Sequence, residues 1–138
     1  MQDSIKVAVI GAGNWGKNLV KNFYELGVLS AVVEEDEGRL NKACKDCKGV
    51  HLLTGLNDLW KMDVPAVAIA TPAPTHYEMT KIALLKGKDV FVEKPFTLNA
   101  SQAEELVKLS KSSGRIIMVG HLLLYQPAIR WIKDCIIK

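Results

Sequence analysis

IKVAVIGAGNWG, residues 5–16, is the stretch that decides the fold. Its first part is a β-branched, largely apolar run, which is typical of a strand covered on both faces of a sheet. Its second part carries Gly11, Gly13 and Gly16 and leads into residues 14–26, whose apolar side chains recur every three or four positions, as on one face of a helix. The stretch therefore predicts a strand, a tight turn and a helix in direct succession.

The glycine spacing matches the pattern G-x-G-x-x-G, which is informative when it follows a strand and opens a helix. In that setting Gly11 permits the turn, Gly13 lets a diphosphate approach the bare backbone, and Gly16 lets the helix pack close to the strand. The free N–H groups of the first helical turn also favour an anion. We therefore predict a dinucleotide site that includes Asn14 and Trp15, the indole lying over the diphosphate or packing beneath the turn. The alternative is that the glycines only form the turn between the strand and the helix and bind no ligand.

An acidic residue at the end of the second predicted strand points to the kind of dinucleotide. Glu34 lies about twenty residues past the glycines, where a carboxylate binds the adenosine ribose hydroxyls. A carboxylate there repels the 2′-phosphate of NADP, and residues 35–37 add further acidic charge. The sequence therefore favours NAD over NADP. Two alternatives remain: the acidic run is only a solvated loop, or Arg39 swings inward to meet a phosphate.

Strand and helix patterns alternate along the rest of the chain. Helices of this length between strands imply parallel pairing through right-handed crossovers, so we expect an α/β fold with a doubly wound, mostly parallel sheet of the Rossmann type. We expect one dinucleotide-binding domain over residues 1–138. The predicted strands are 5–10, 29–33, 51–53, 66–70, 89–93 and 115–119, and the predicted helices are 14–26, 37–47, 56–61, 76–86, 99 or 101 to 113, and 127 onward.

Composition excludes several other classes. The 138 residues carry a net charge of +3 without a basic block, so we expect no nucleic-acid partner. No apolar run approaches the roughly 18 residues of a membrane span, so we expect no membrane partner either. Three cysteines favour a reducing cytoplasm. Cys44 and Cys47 form C-x-x-C near His51, but a fourth zinc ligand is not evident, so we expect no metal.

Two later motifs, together with the glycine turn, resemble the Gfo/Idh/MocA oxidoreductases. They are TPAPTH, residues 71–76, and EKP, residues 93–95, which both follow predicted strands. The resemblance implies an N-terminal NAD-binding domain whose C-terminal substrate domain is absent from this chain, and a homo-oligomer in the full-length enzyme. The segment GHLLLYQP, residues 120–127, is similar to a nucleotide-sugar subgroup in which histidine often precedes the proline, although Gln126 stands there in this chain.

The resemblance also implies roles for single residues. Lys94 would be the catalytic lysine beside the nicotinamide and the reacting hydroxyl, in a Lys94–Pro95 peptide that is often cis in the family. A lysine can orient that oxygen and help move its proton. The alternative for Lys94 is that it is an ordinary surface lysine in a loop. The alternative for His76 is that its ring hydrogen-bonds only to the end of its own helix. Glu93, Thr71, Pro72, His76 and His121 would line the ribose and nicotinamide side of the cofactor, with Glu93 at the nicotinamide ribose.

The sequence thus predicts the NAD(H)-binding domain of an oxidoreductase that moves a hydride between NAD and a sugar, cyclitol or nucleotide-sugar hydroxyl. Alone, this chain should bind the cofactor with little or no turnover. The main alternative is a non-enzymatic NAD(H)-binding module that regulates or senses redox state. A further alternative is an assembly element in which the glycine turn is structural.

Overall fold

A computed structural model describes residues 5–137 and shows strands alternating with helices. The strands are β1 (Val7–Ile10), β2 (Leu29–Val33), β3 (His51–Leu53), β4 (Ala66–Ile69), β5 (Asp89–Val92) and β6 (Ile117–Val119). The helices are α1 (Gly16–Glu25), α2 (Glu37–Ala43), α3 (Leu56–Leu59), α4 (His76–Leu85), α5 (Ala100–Ser113) and α6 (Pro127–Ile137). Two short 3₁₀ helices, Ala73–Thr75 and Leu122–Tyr125, were not predicted from the sequence.

The strands form one sheet in the order β3-β2-β1-β4-β5-β6, and every pairing is parallel. The chain winds outward from β1 to β3 and then continues on the other side of β1 with β4. This reversal confirms the predicted doubly wound sheet and creates a crevice at the carboxyl ends of β1 and β4, where such sheets bind their ligands.

Helices cover both faces of the sheet, and the strands alternate between the two cores. In β1, Ala8 and Ile10 face one buried cluster and Val9 faces the other. Each fully buried aliphatic side chain contributes roughly 1.5–3 kcal/mol, so the central strands anchor the turns that follow them. Val20 of α1 and Leu40 of α2 fill the second cluster, whereas Leu84 of α4 and Leu106 of α5 fill the first.

The structure corrects several predicted boundaries. Helix α1 begins at Gly16 and not at residue 14, because Asn14 and Trp15 stay in the turn. Helix α2 ends at Ala43 and not at residue 47, so Cys44 is its C-cap and Cys47 lies beyond it. Thr75 occupies the N-cap of α4 but makes no cap bond, because its hydroxyl donates to the Pro72 carbonyl oxygen at 2.7 Å.

The carboxyl-terminal segment lies on the surface. Every residue in the range 121–137 is exposed, including Leu123 at 64% and Trp131 at 69%. Helix α6 begins at Pro127, as predicted, and residues 1–4 and 138 lie outside the described part. Within residues 5–137, no helix has the length and apolarity needed to cross a membrane.

Candidate functional site

Two glycines of the turn are required, Gly11 by its backbone conformation and Gly16 by packing. Gly11 has a φ of +90°, a conformation that side-chain-bearing residues rarely adopt. Its N–H donates to the Val33 carbonyl oxygen at 2.8 Å, so the turn continues the pairing of β1 with β2. A Cβ on Gly16 would lie 1.9 Å from the Gly11 carbonyl oxygen, a distance at which atoms overlap. Helix α1 therefore starts directly against the turn.

The third glycine faces open space. A Cβ on Gly13 would meet no atom within 4 Å, so its backbone is bare on the cleft side. Trp15, at the N-cap of α1, gives the helix no side-chain cap, and the first turn contains no acidic residue. The first amide groups of α1 are thus free of side-chain caps, and the helix dipole favours an anion beside them. These residues fit the diphosphate of a dinucleotide.

Glu34 directly follows β2 and is 8% exposed. One carboxylate oxygen accepts the Ala12 N–H at 2.9 Å, and the other accepts the Asp36 N–H at 3.1 Å. The Arg39 guanidinium also lies 3.1 Å from the second oxygen. Since a carboxylate has about four acceptor positions, capacity remains for a ribose hydroxyl. Glu34 is therefore held at the predicted place by the glycine turn itself.

A cleft of about 600 Å³ joins these groups at the carboxyl ends of β1, β2 and β4. It brings together six of the residues predicted from the sequence: Gly11, Gly13, Asn14, Glu34, Thr71 and Pro72. Sequence reasoning missed other residues that line the cleft, among them Thr54, Gly55, Leu56 and Met79. Their position after β3 and on α4 was the only available indication, because their residue types are not specific for nucleotides.

A second groove, of about 680 Å³, lies between α1 and α2 and shares Gly13, Asn14 and Arg39 with the cleft. Its basic side chains are Lys17, Lys21, Arg39, Lys42 and Lys45. Arg39 thus lines both spaces, in keeping with the alternative in which its side chain turns inward.

The EKP motif follows β5 at the other side of the crevice. Glu93 is 6% exposed, and its Oε1 accepts the indole N–H of Trp15 at 2.5 Å. Lys94 is exposed, and the Lys94–Pro95 peptide is cis. His121 follows β6 and Gly120 and is exposed as well. These residues stand together at the carboxyl ends of β5 and β6, outside the walls of the 600 Å³ cleft.

His76 lies behind the crevice and not on its surface. The ring is 1% exposed, with Nδ1 2.7 Å from the Pro95 carbonyl oxygen and Nε2 2.8 Å from that of Thr71. Carbonyl oxygens only accept, so a neutral ring donates to one of them and an imidazolium donates to both. The ring thus connects the TPAPTH loop to the EKP loop and bonds beyond its own helix. Direct contact of His76 with the cofactor stays a prediction.

The surroundings of the cysteine pair favour the protonated thiols. Burial raises the pKa of the Cys44 thiol to about 11, and the neighbouring Cys47 adds to the rise. Burial also raises the pKa of Cys47. A thiol with a raised pKa carries little thiolate at neutral pH and is a poor nucleophile or metal ligand. The described residues contain no group of three or more His, Cys, Asp or Glu side chains arranged to hold a metal.

Comparison with known proteins gives concordant results. Residues 5–121 match the GFO_IDH_MocA family model, described as "Oxidoreductase family, NAD-binding Rossmann fold". The UDP-N-acetylglucosamine 3-dehydrogenase of Acidithiobacillus ferrooxidans is 26% identical over 132 residues, covering 94% of this chain and 41% of the relative. The inositol 2-dehydrogenase of Pseudomonas syringae pv. syringae is 30% identical over 139 residues, covering 96% of this chain and 41% of the relative.

A similar solved structure is the 3-ketoreductase KijD10 of Actinomadura kijaniata, in complex with NADP and TDP-benzene. It superposes with a TM-score of 0.86 at 27% identity, covering 96% of this chain and 42% of KijD10. The chain therefore spans about two fifths of the length of these relatives.

Proposed function

Since the chain belongs to the Gfo/Idh/MocA oxidoreductase family as its NAD-binding Rossmann domain, we propose that it is the cofactor domain of a dehydrogenase acting on a sugar-like hydroxyl. The observation that carries the proposal is the bare backbone at Gly13 beside the uncapped start of α1, with the Glu34 carboxylate held against the glycine turn by the Ala12 N–H. The carboxylate of Glu34 favours NAD over NADP in this proposal.

In this proposal the residues of the crevice have separate roles. NAD(P), when bound, supplies the hydride acceptor or donor. The α1 amides and Gly13 hold the diphosphate, Glu34 holds the adenosine ribose, and Asn14, Thr71 and Pro72 line the path between the two halves. Glu93 binds the nicotinamide riboside. Lys94, in the proposed catalytic role, orients the reacting hydroxyl oxygen and passes its proton to solvent.

The relatives support a class of substrate. Their names describe reactions on UDP-N-acetylglucosamine and inositol and the reduction of a ketone. We propose a sugar, cyclitol or nucleotide-sugar substrate for this protein. The exposed apolar side chains of residues 121–137 support a second, substrate-shaping domain in a longer homo-oligomeric protein. The odd number of cysteines supports a reducing, cytoplasmic location.

A lysine variant distinguishes this proposal from a non-enzymatic NAD(H)-binding module. The wild-type chain should bind NADH in a calorimetric titration, with little or no turnover by itself. In a protein that carries this chain and a substrate domain, Lys94→Ala should lower kcat about 100-fold or more, because a positioned proton-transfer group is lost. The Kd for NADH should change less than about threefold, since Lys94 lies outside the diphosphate turn.

Lys88→Ala is a matched control, because Lys88 precedes β5 at the amino-terminal end of the strand, away from the crevice, and its amine donates to the Met62 carbonyl oxygen. Unchanged turnover in Lys94→Ala would show that Lys94 has no chemical role, whereas absence of turnover in the wild-type protein that carries both domains would favour the regulatory module. Absence of NADH binding by the wild-type chain would contradict both functions.

A further inference from the structure

An indole on the glycine turn reaches the EKP loop. Trp15 and Glu93 are 78 residues apart in sequence, yet the Trp15 Nε1–H donates to Glu93 Oε1. The turn lies at the start of α1 and the loop at the end of β5, so this bond joins the diphosphate end of the crevice to its nicotinamide end. No residue pattern of the family motifs indicated the contact.

Packing does not explain why the indole lies there. Trp15 is 47% exposed, and it belongs to neither of the two buried clusters. An indole placed for core packing would be covered by apolar side chains on both faces. In its position the Trp15 indole instead directs one N–H donor at the buried Glu93 carboxylate.

The carboxylate depends on that donor. Within residues 5–137, the Trp15 indole is the one hydrogen-bond donor that the structure gives to the Glu93 side chain. The other oxygen, Oε2, lies against Gly120, where a Cβ would come within 3.0 Å of it. A buried carboxylate is costly without donors, so its remaining acceptor positions suit the hydroxyl or amide donors of a ligand.

We propose that Trp15 is a positioning residue that holds the Glu93 carboxylate toward the nicotinamide riboside of the bound cofactor, an inference that rests on the proposed function. Because Glu93 directly precedes Lys94, the same bond also fixes the start of the loop that carries the lysine. The diphosphate turn and the nicotinamide end are thus coupled through one side chain.

The inference is tested with two ligands that share the adenosine diphosphate group. NADH reaches both ends of the crevice, whereas ADP reaches only the glycine turn and Glu34. Trp15→Phe keeps an aromatic ring but removes the N–H donor. We expect calorimetry to show about a tenfold weaker Kd for NADH, as for loss of a hydrogen bond to a charged group, and a Kd for ADP that stays within about twofold.

Trp131→Phe is the matched control, since Trp131 is 69% exposed on α6 and should leave both Kd values unchanged. Equal weakening of NADH and ADP would show that the indole serves the turn itself and would overturn the inference. Unchanged NADH binding would overturn it as well. In each of these cases wild-type binding stays intact, whereas failure of the wild-type chain to bind either ligand would remove the proposed function and this inference with it.

A second variant guards against a misfolded Trp15→Phe chain. Glu93→Gln keeps an acceptor oxygen and the side-chain shape but removes the charge. It should therefore also raise the Kd for NADH and leave the Kd for ADP unchanged. If the two residues act through their shared bond, the double variant Trp15→Phe/Glu93→Gln should have a Kd for NADH no higher than that of the more weakly binding single variant. Independent, multiplying losses would contradict a shared role.

Discussion

Two carboxylates occupy equivalent places in the two halves of the sheet, and they are held very differently. Glu34 follows β2 and Glu93 follows β5, and each backbone N–H donates to the last carbonyl of the neighbouring strand, at 3.0 and 2.9 Å. Both side chains are buried, at 8% and 6% exposure. Glu34 is bonded by its own loop, the glycine turn and Arg39, whereas Glu93 is bonded by the Trp15 indole.

The difference indicates how the crevice is organised. The proposed adenosine end, at Glu34, is fixed by backbone amides that form along with the fold, so it is preorganised before a ligand arrives. The proposed nicotinamide end, at Glu93, depends on a hydrogen bond from a side chain of the opposite half, and the neighbouring Lys94 is exposed. We expect changes in the glycine turn to affect both ends, and changes near β5 and β6 to affect the nicotinamide end alone.

The largest effect should come from the turn that serves both carboxylates. In Gly16→Ala the new Cβ would lie 1.9 Å from the Gly11 carbonyl oxygen, so the start of α1 must move and displace Trp15 and Ala12 with it. We expect a loss of more than about 3 kcal/mol in the free energy of unfolding, measured with urea, and loss of NADH binding.

Gly13→Ala is the control within the same turn. Its Cβ would meet no atom within 4 Å, so stability should stay within about 0.5 kcal/mol of wild type. NADH should nevertheless bind about tenfold more weakly, because the methyl group occupies the backbone surface that the diphosphate approaches. A Gly16→Ala chain as stable as wild type would show that close helix packing is not what this glycine serves.

The next effect concerns the adenosine end alone. Arg39 pairs with Glu34 at 3.1 Å and lies between the cleft and the basic groove, where a 2′-phosphate would meet its guanidinium. Wild type should bind NADH more tightly than NADPH because Glu34 opposes the phosphate. Arg39→Ala should raise the Kd for NADPH about tenfold further. The Kd for NADH should change by less than about threefold, since the two amide donors to Glu34 remain.

Calorimetric titration of both cofactors measures this change, and Lys45→Ala provides a control from the same groove. Equal weakening of NADH and NADPH in Arg39→Ala would mean that the arginine supports the loop and does not distinguish the phosphate.

The two ends also differ in how well the sequence predicts them. The strand, the glycine turn and Glu34 follow from local patterns, because burial periodicity and glycine spacing are properties of short segments. The bond from Trp15 to Glu93 joins residues 78 positions apart, and the bond from the His76 ring to the Pro95 carbonyl oxygen joins residues 19 positions apart. Such contacts depend on loop conformations that tertiary packing decides, so they were beyond prediction. The sequence left the Trp15 indole either over the diphosphate or beneath the turn, and neither alternative indicated its bond to Glu93.

The smallest effect should be confined to the nicotinamide end. A Cβ on Gly120 would lie 3.0 Å from Glu93 Oε2 and 3.1 Å from the Phe91 ring, and the carboxylate is the group that can yield. Gly120→Ala should therefore displace the Glu93 carboxylate and raise the Kd for NADH about threefold, with no change in the Kd for ADP.

If the indole bond holds Glu93, the Gly120→Ala effect should disappear in a Trp15→Phe background, where the carboxylate is already released. Calorimetry on the two single variants and the double variant tests this directly. A Gly120→Ala chain that loses ADP affinity as well would mean that the two ends are not separable, and the adenosine end would then depend on β6 through the sheet and not on its own loop.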